Sequence, residues 1–245
     1  RFGPNQKRHV MTLDTIMIFA AGRGTRMREL TDDLPKPLIP VAGKPLIDHA
    51  LELADGAGID RKLVNTHYLG QKLAAHLKTR NDVLISHENG AALETGGGLK
   101  HALPLIDRKV VMTLNPDAVW TGRNPLTVLA DSWQADIMDA LLMLVPVENA
   151  TGHKYDGDFI VDSKGRISRI TTNGGQAFVF TGAQIVHTDL LQAIPQDRFS
   201  FNLLWDQLIA KGRLFSTIHH GGWADVGTPE GLNLAEHMLR TSSNV

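Results

Sequence analysis

The sequence predicts an α/β fold: a three-layer sandwich around a mostly parallel mixed sheet, with antiparallel additions in the C-terminal half. Three observations predict it. Apolar runs of strand length alternate with amphipathic stretches of helix length as far as residue 145. Glycines punctuate the ends of several of those runs. After Pro146 the rhythm changes to short strands separated by turn residues.

A strand over residues 15–20 ends at Gly22. A helix over 45–55 places Leu46, Ile47, Ala50, Leu51 and Ala54 on one face, with Asp48, Glu52 and Asp55 outside it. Strand 62–66, helix 71–78 and strand 83–87 follow, then a helix over 96–103 opened by a glycine run. Strand 110–114, helix 125–136 and strand 140–145 complete an alternation that requires crossover helices on a mostly parallel sheet. Beyond Pro146, strands over 159–161, 167–171 and 176–181 are separated by turns at 163–165 and 173–175, as antiparallel additions would be. A helix over 201–211 is closed by Gly212, and a strand covers 214–219. The final helix, 228–240, has Thr228 as N-cap and Pro229 at its first position. No internal repeat or long linker divides the chain. Residues 11–245 are expected to form a single domain, with 1–10 a leader or added remnant ahead of Met11.

Composition narrows the function. Across 245 residues, 25 Lys and Arg against 26 Asp and Glu leave a formal charge of −1, so no global basic field marks a nucleic-acid binder. Hydrophobic residues at 42% and charged residues at 21% exclude disorder as the main state. The absence of cysteine removes disulfides, thiolate catalysis and Cys-zinc sites together. The longest apolar runs, such as 16–21 and 140–145, fall far short of the roughly 18 residues of a membrane helix. The expected partners therefore include neither nucleic acid nor membrane, and the expected location is cytoplasmic.

The strongest local signal is Phe19-Ala-Ala-Gly22-Arg-Gly24-Thr-Arg26-Met-Arg28, directly after the first strand. Glycines there let backbone N–H groups approach an anion, and Arg26 and Arg28 add permanent cations with forked geometry. A dinucleotide fingerprint would need glycine where Met27 stands, which undercuts a nicotinamide-dependent oxidoreductase. Gly43-Lys44 is followed by Pro45 and is not a Walker A loop. Lys36, in Leu34-Pro-Lys-Pro-Leu38, is held between two prolines that restrict its backbone. Taken alone, Lys36 reads as a solvent-facing loop residue, Asp117 as a capping aspartate and Asp225 as a turn residue.

Taken together, Ala20-Ala-Gly-Arg-Gly-Thr-Arg-Met-Arg-Glu-Leu-Thr31 and Leu34-Pro-Lys-Pro-Leu-Ile-Pro-Val-Ala-Gly-Lys-Pro-Leu46 resemble the opening of the sugar-1-phosphate nucleotidyltransferases. The resemblance continues through Asn65-Thr-His-Tyr68, Leu93-Glu-Thr-Gly-Gly-Gly98, Leu103-Pro-Leu105, Phe180-Thr-Gly182 and Trp223-Ala-Asp-Val-Gly-Thr228. Within that family the chain is most similar to the branch acting on N-acetylmuramate α-1-phosphate with UTP. The mannose-1-phosphate guanylyltransferase branch, which uses GTP, is next.

The resemblance implies a Rossmann-like catalytic domain that condenses an NTP with a sugar-1-phosphate, releasing pyrophosphate, with Mg²⁺ as cofactor. It implies Arg26 and Lys36 as catalytic residues, and Gly22, Gly24 and Thr25 around the nucleotide phosphates. Glu94, Thr95 and Gly96 would lie beside the nucleoside, and Asn115 and Asp158 would contact substrate. Asp117 and Asp225 would be the metal ligands. Lys154 is a further candidate for the sugar phosphate. Glu88 is a candidate for contact with the base or metal-bound water, with a solvated carboxylate the preferred reading. His219 and His220, adjacent on a strand, point to opposite faces and do not share a metal.

One departure stands out. The family has Gly between the Asn and the Asp, and this chain has Asn115-Pro116-Asp117. Proline fixes φ near −65°, so either the backbone aims Asp117 at the metal by another path, which is the expectation, or the metal site is weakened. Pro116 is also the main support for an alternative, a non-catalytic sugar-nucleotide sensor on the same fold.

Overall fold

The computed structural model describes residues 13–170 and 175–242. The expected leader over 1–10 and most of the expected turn at 173–175 lie outside the described residues. The chain runs through β1 (Thr15–Phe19), a hairpin of β2 (Pro40–Val41) and β3 (Lys44–Pro45), and α1 (Leu46–Gly56). Next come β4 (Arg61–Thr66), α2 (Gly70–Leu77), β5 (Val83–His87), α3 (Glu94–Ala102) and β6 (Val110–Leu114). These are followed by β7 (Ala118–Trp120), α4 (Pro125–Ser132), β8 (Ala140–Pro146), β9 (Ala150–Thr151), β10 (Phe159–Val161) and β11 (Ile167–Arg169). The last elements are β12 (Ala177–His187), α5 (Asp189–Gln192), α6 (Phe201–Ala210), β13 (Leu214–Ile218), β14 (Trp223–Asp225) and α7 (Pro229–Ser242).

The main sheet is mixed. β5, β4, β1 and β6 lie side by side and parallel. β12 enters antiparallel between β6 and β8, and β13 pairs parallel with β8. β10 and β11 extend the sheet antiparallel from β12. Alternation along β1 divides the core into two layers. Ile16 and Ile18 pack with Ala50, Leu51, Leu126 and Leu129 of α1 and α4. Met17 faces the other way, toward Leu99, Phe201 and Leu204 of α3 and α6. The five apolar residues expected on one face of α1 are all buried, and Thr228 caps α7 by accepting a hydrogen bond from Gly231 N. No helix among the described residues is long and apolar enough to cross a membrane.

Several boundaries differ from the sequence expectation, most by one or two residues. The strand expected over 176–181 is β12, eleven residues long and central rather than part of a peripheral meander. Gly182 looks like a strand end but is a bulge within β12: its φ is +91, and the register shifts between Phe180 and Gln184. The strand expected over 167–171 ends at Arg169: Ile170 lies outside it, and residue 171 is outside the described residues. α4 stops at Ser132, whose hydroxyl bonds back to Val128 O, and Trp133 turns extended. α3 begins at Glu94, two residues before the expected start. β7, β14 and β9 form a second sheet, and segments this short carry no periodic pattern in the sequence.

Candidate active site

The phosphate-loop candidate leaves β1 and turns into a 3₁₀ helix, Thr25–Thr31. Met27 is its anchor, fully buried against Val41, Leu46 and Val226. Gly24 takes φ +69, and a Cβ there would stand 2.8 Å from Lys36 Cβ, so only glycine lets the Lys36 turn pack this closely. That turn, Lys36–Leu38, is itself one turn of 3₁₀ helix starting after Pro35. Lys36 is not solvent-facing: the residue is 9% exposed, and its Nζ lies 2.7 Å from Asp117 Oδ2.

Asp117 and Asp225 are 108 residues apart (225 − 117), and the small sheet brings them together. β7 and β14 run antiparallel with Ala118 opposite Asp225, and Val226 N donates to Asp117 O at 2.8 Å. The proline-restricted backbone at Pro116 thus still aims Asp117 into the site. Burial would push the Asp117 carboxyl up, but the Lys36 ammonium, its own backbone N–H and the Arg26 charge together hold it below the usual carboxylate range. Asp225 goes the other way. Burial and the negative charge of Asp117 push it up, and Lys36, Arg26 and His153 offset them only in part. Arg26 closes the cluster: a Cβ at Gly227 would stand 2.9 Å from both Arg26 Nη2 and Asp225 Oδ2.

Arg26, Asn115, Asp117, Asp158 and Asp225 line one cavity of about 330 Å³. Gly22, Glu94, Thr95 and Asn115 line a neighbouring chamber of about 310 Å³. Asn115 belongs to both, and its N–H donates to Gly182 O at the β12 bulge. Asp158 is oriented from β12 as well, its Oδ2 accepting from Phe180 N at 2.8 Å. Glu94 adopts φ +64 and lies 3.3 Å from Arg198, while Thr95 Oγ1 accepts from Phe201 N. Thr25 is exposed at the head of the 3₁₀ helix. Gly96 faces protein: a Cβ there would meet Phe199 at 2.4 Å, so its glycine serves helix packing.

These contacts place three further residues. Lys154 lines the larger cavity and pairs with Glu230 on α7 at 2.8 Å, an exposed ion pair. Glu88 is not solvated; it is 1% exposed and fully hydrogen-bonded. His153, which no motif singles out, lines the larger cavity with its Nε2 buried and without a hydrogen-bond partner among the described residues. Its only signal was its place between Gly152 and Lys154 in a polar, glycine-flanked stretch.

Two mutually repelling carboxylates beside two cations form a donor set that suits a hard divalent ion with phosphate oxygens. Among the described residues no group of three or more His, Cys, Asp or Glu could hold a metal ion by itself. Further coordination would come from substrate and water.

The nucleotidyl transferase family profile matches residues 15–242. The N-acetylmuramate alpha-1-phosphate uridylyltransferase of Caulobacter vibrioides is 36% identical, over 91% of this chain and 96% of its own. The mannose-1-phosphate guanylyltransferase of Mycobacterium tuberculosis is 26% identical, over 87% of this chain and 61% of its own. HddC from Yersinia pseudotuberculosis, solved with GMP-PN, shares the fold at a TM-score of 0.73 and 23% identity, covering 92% of this chain and 99% of that one. The chain therefore belongs to the nucleotidyl transferase family, in the sugar-1-phosphate class that its opening motif resembles. It is a transferase enzyme.

Proposed function

We propose that this chain transfers a uridylyl group from UTP to N-acetylmuramate α-1-phosphate, with residues 11–245 acting as one catalytic domain. The observation that carries the reading is the convergence of Arg26, Lys36, Asp117 and Asp225, from four separate segments, at one cleft. The similarity to two uridylyltransferases, at 36% and 34% identity, favours uridine and N-acetylmuramate over guanosine and mannose.

An oxygen of the sugar phosphate attacks the α-phosphorus in line. The bond from that phosphorus to the bridging oxygen of the β-phosphate breaks, and pyrophosphate leaves with the electron pair. The second pKa of a phosphate monoester is about 6, so the nucleophile is ionised at neutral pH and no general base is needed. What the reaction needs is charge stabilisation and alignment of two polyanions. Arg26 and the amides of Gly24 and Thr25 hold the departing phosphates. Lys36, kept in place by Gly24 packing and by Asp117, stabilises charge developing near the α-phosphate. Glu94 and Thr95 border the nucleoside, and Asn115 and Asp158 orient the sugar. Asp117 and Asp225 would hold a divalent cation, read as Mg²⁺, which would lower the repulsion between the two substrates.

The test is pyrophosphate release with Mg²⁺, pairing UTP and GTP with N-acetylmuramate-, N-acetylglucosamine-, glucose- and mannose-1-phosphate. Release confined to UTP with N-acetylmuramate 1-phosphate is expected. It should be lost in Asp117→Asn and reduced at least ~100-fold in Lys36→Ala, by analogy with removal of one preorganised donor. Unchanged turnover in Lys36→Ala would remove that residue from the mechanism.

A further inference from the structure

Between the phosphate loop and the nucleoside-side chamber lies a chain of buried hydrogen bonds that joins three segments. Ala20 N, at the start of the phosphate loop, donates to Asn65 Oδ1 at 2.6 Å. Asn65 Nδ2, at the end of β4, donates to Glu88 Oε1 at 2.6 Å. Leu93 N, immediately before α3, donates to Glu88 Oε2 at 2.9 Å. Asn65 and Glu88 are 2% and 1% exposed, and both line the chamber bordered by Gly22, Glu94 and Thr95. Each side chain uses both ends, so neither loop can shift without breaking a buried bond and stranding a desolvated polar group.

Gly98 completes the arrangement. It lies inside α3, where alanine would favour the helix. A Cβ there would stand 2.8 Å from Glu88 Oε1 and 3.0 Å from Asn65 Nδ2. The helix forgoes that propensity, and the vacated space holds the pair.

We propose that Asn65 and Glu88 are a positioning pair that sets the nucleotide-binding geometry, by holding the phosphate loop in register with the segment that borders the nucleoside. The inference rests on the nucleotidyl-transfer reading and adds two residues to it. The pair acts through the loops it ties.

The polarity of the chain provides the test. Glu88 accepts twice, so Glu88→Gln must turn its amide against one donor. Asn65→Asp places two carboxyl groups 2.6 Å apart. The double change N65D/E88Q restores complementarity: Ala20 N and Gln Nε2 both donate to the new Asp, and Leu93 N donates to Gln Oε1. KM and kcat are measured for UTP and for N-acetylmuramate 1-phosphate, with Tm for each variant. Each single variant is expected to raise KM for UTP about tenfold or more, since small displacements of positioned groups are costly. KM for the sugar phosphate should stay within about twofold, and the double variant should recover most of the loss. Gly98→Ala, which pushes on the pair without changing polarity, should also raise KM for UTP.

A double variant as poor as the singles overturns the inference. So does a rise in both KM values that tracks a fall in Tm, the mark of a pair that only stabilises the fold. A wild-type enzyme that neither binds nor turns over UTP overturns the functional reading, and the inference with it.

Discussion

Asp225 carries the clearest conflict between stability and function. Burial and the neighbouring Asp117 raise its pKa, so the ionised form that the proposed metal role would require is disfavoured by the fold. Above the raised value the folded state bears this unfavourable charge, and below the unfolded value, near 4, the penalty vanishes. Asp225→Asn removes the charge at neutral pH with little change in volume. Without divalent ions the variant should melt higher than wild type by roughly 2–4 °C, the shift of about 1 kcal/mol in a chain this long. Adding Mg²⁺ should stabilise wild type and leave the variant unmoved, and turnover should be lost. A variant that melts lower at pH 7.5 without metal would contradict this account.

At the scale of elements, an ion cluster ties the end of α1 to the starts of β4 and β5. Lys62 of β4 is buried, with Nζ 2.9 Å from Asp55 of α1 and 2.8 Å from Asp82 beside β5. Arg80 bridges the same two carboxylates. Burial pushes Asp55 up, but hydrogen bonds from Lys62 and Arg80 outweigh it, and its pKa falls. Arg80 and then Lys62 hold Asp82 far below its ordinary value. Both acids are depressed, so their contribution is complete above about pH 4 and is lost as pH falls through the lower folded values. Both are also partly solvated, which discounts the cluster's worth. Lys62→Met should cost about 1–2 kcal/mol, or roughly 3–6 °C, at neutral pH. Urea melts from pH 6 to pH 2.5 should show a shallower acid limb in the variant, whereas an identical pH dependence would remove the cluster from the acid response.

At the scale of the molecule, the cleft is assembled by the main sheet and the small sheet together. Ligand that spans both should stabilise the whole fold by mass action, by about 2.7 kcal/mol at one hundred times Kd. UTP with Mg²⁺ is therefore expected to raise Tm by roughly 5–10 °C. The shift should grow with UTP concentration and shrink strongly with EDTA. An EDTA-insensitive shift would mean that nucleotide binding does not use Asp117 and Asp225 through a cation.

The sequence by itself determined the alternation of strands and helices, the buried face of α1, the cap of α7 and the phosphate-loop motif. These are local properties: hydrophobic period, cap chemistry and glycine–cation spacing act over a few residues and can be read within one window. The motif also named Lys36, Asp117 and Asp225 through resemblance, although each alone looked ordinary. Only the tertiary structure decided that Lys36 pairs with Asp117, that Glu88 is buried, and that Gly182 bends a central strand instead of ending a peripheral one. Those facts depend on contacts between residues distant in the chain. A three-residue strand has no period of its own, and a carboxylate's surroundings are supplied by other segments. Asp117 and Asp225 meet because β7 pairs with β14, and that pairing is a property of the folded chain.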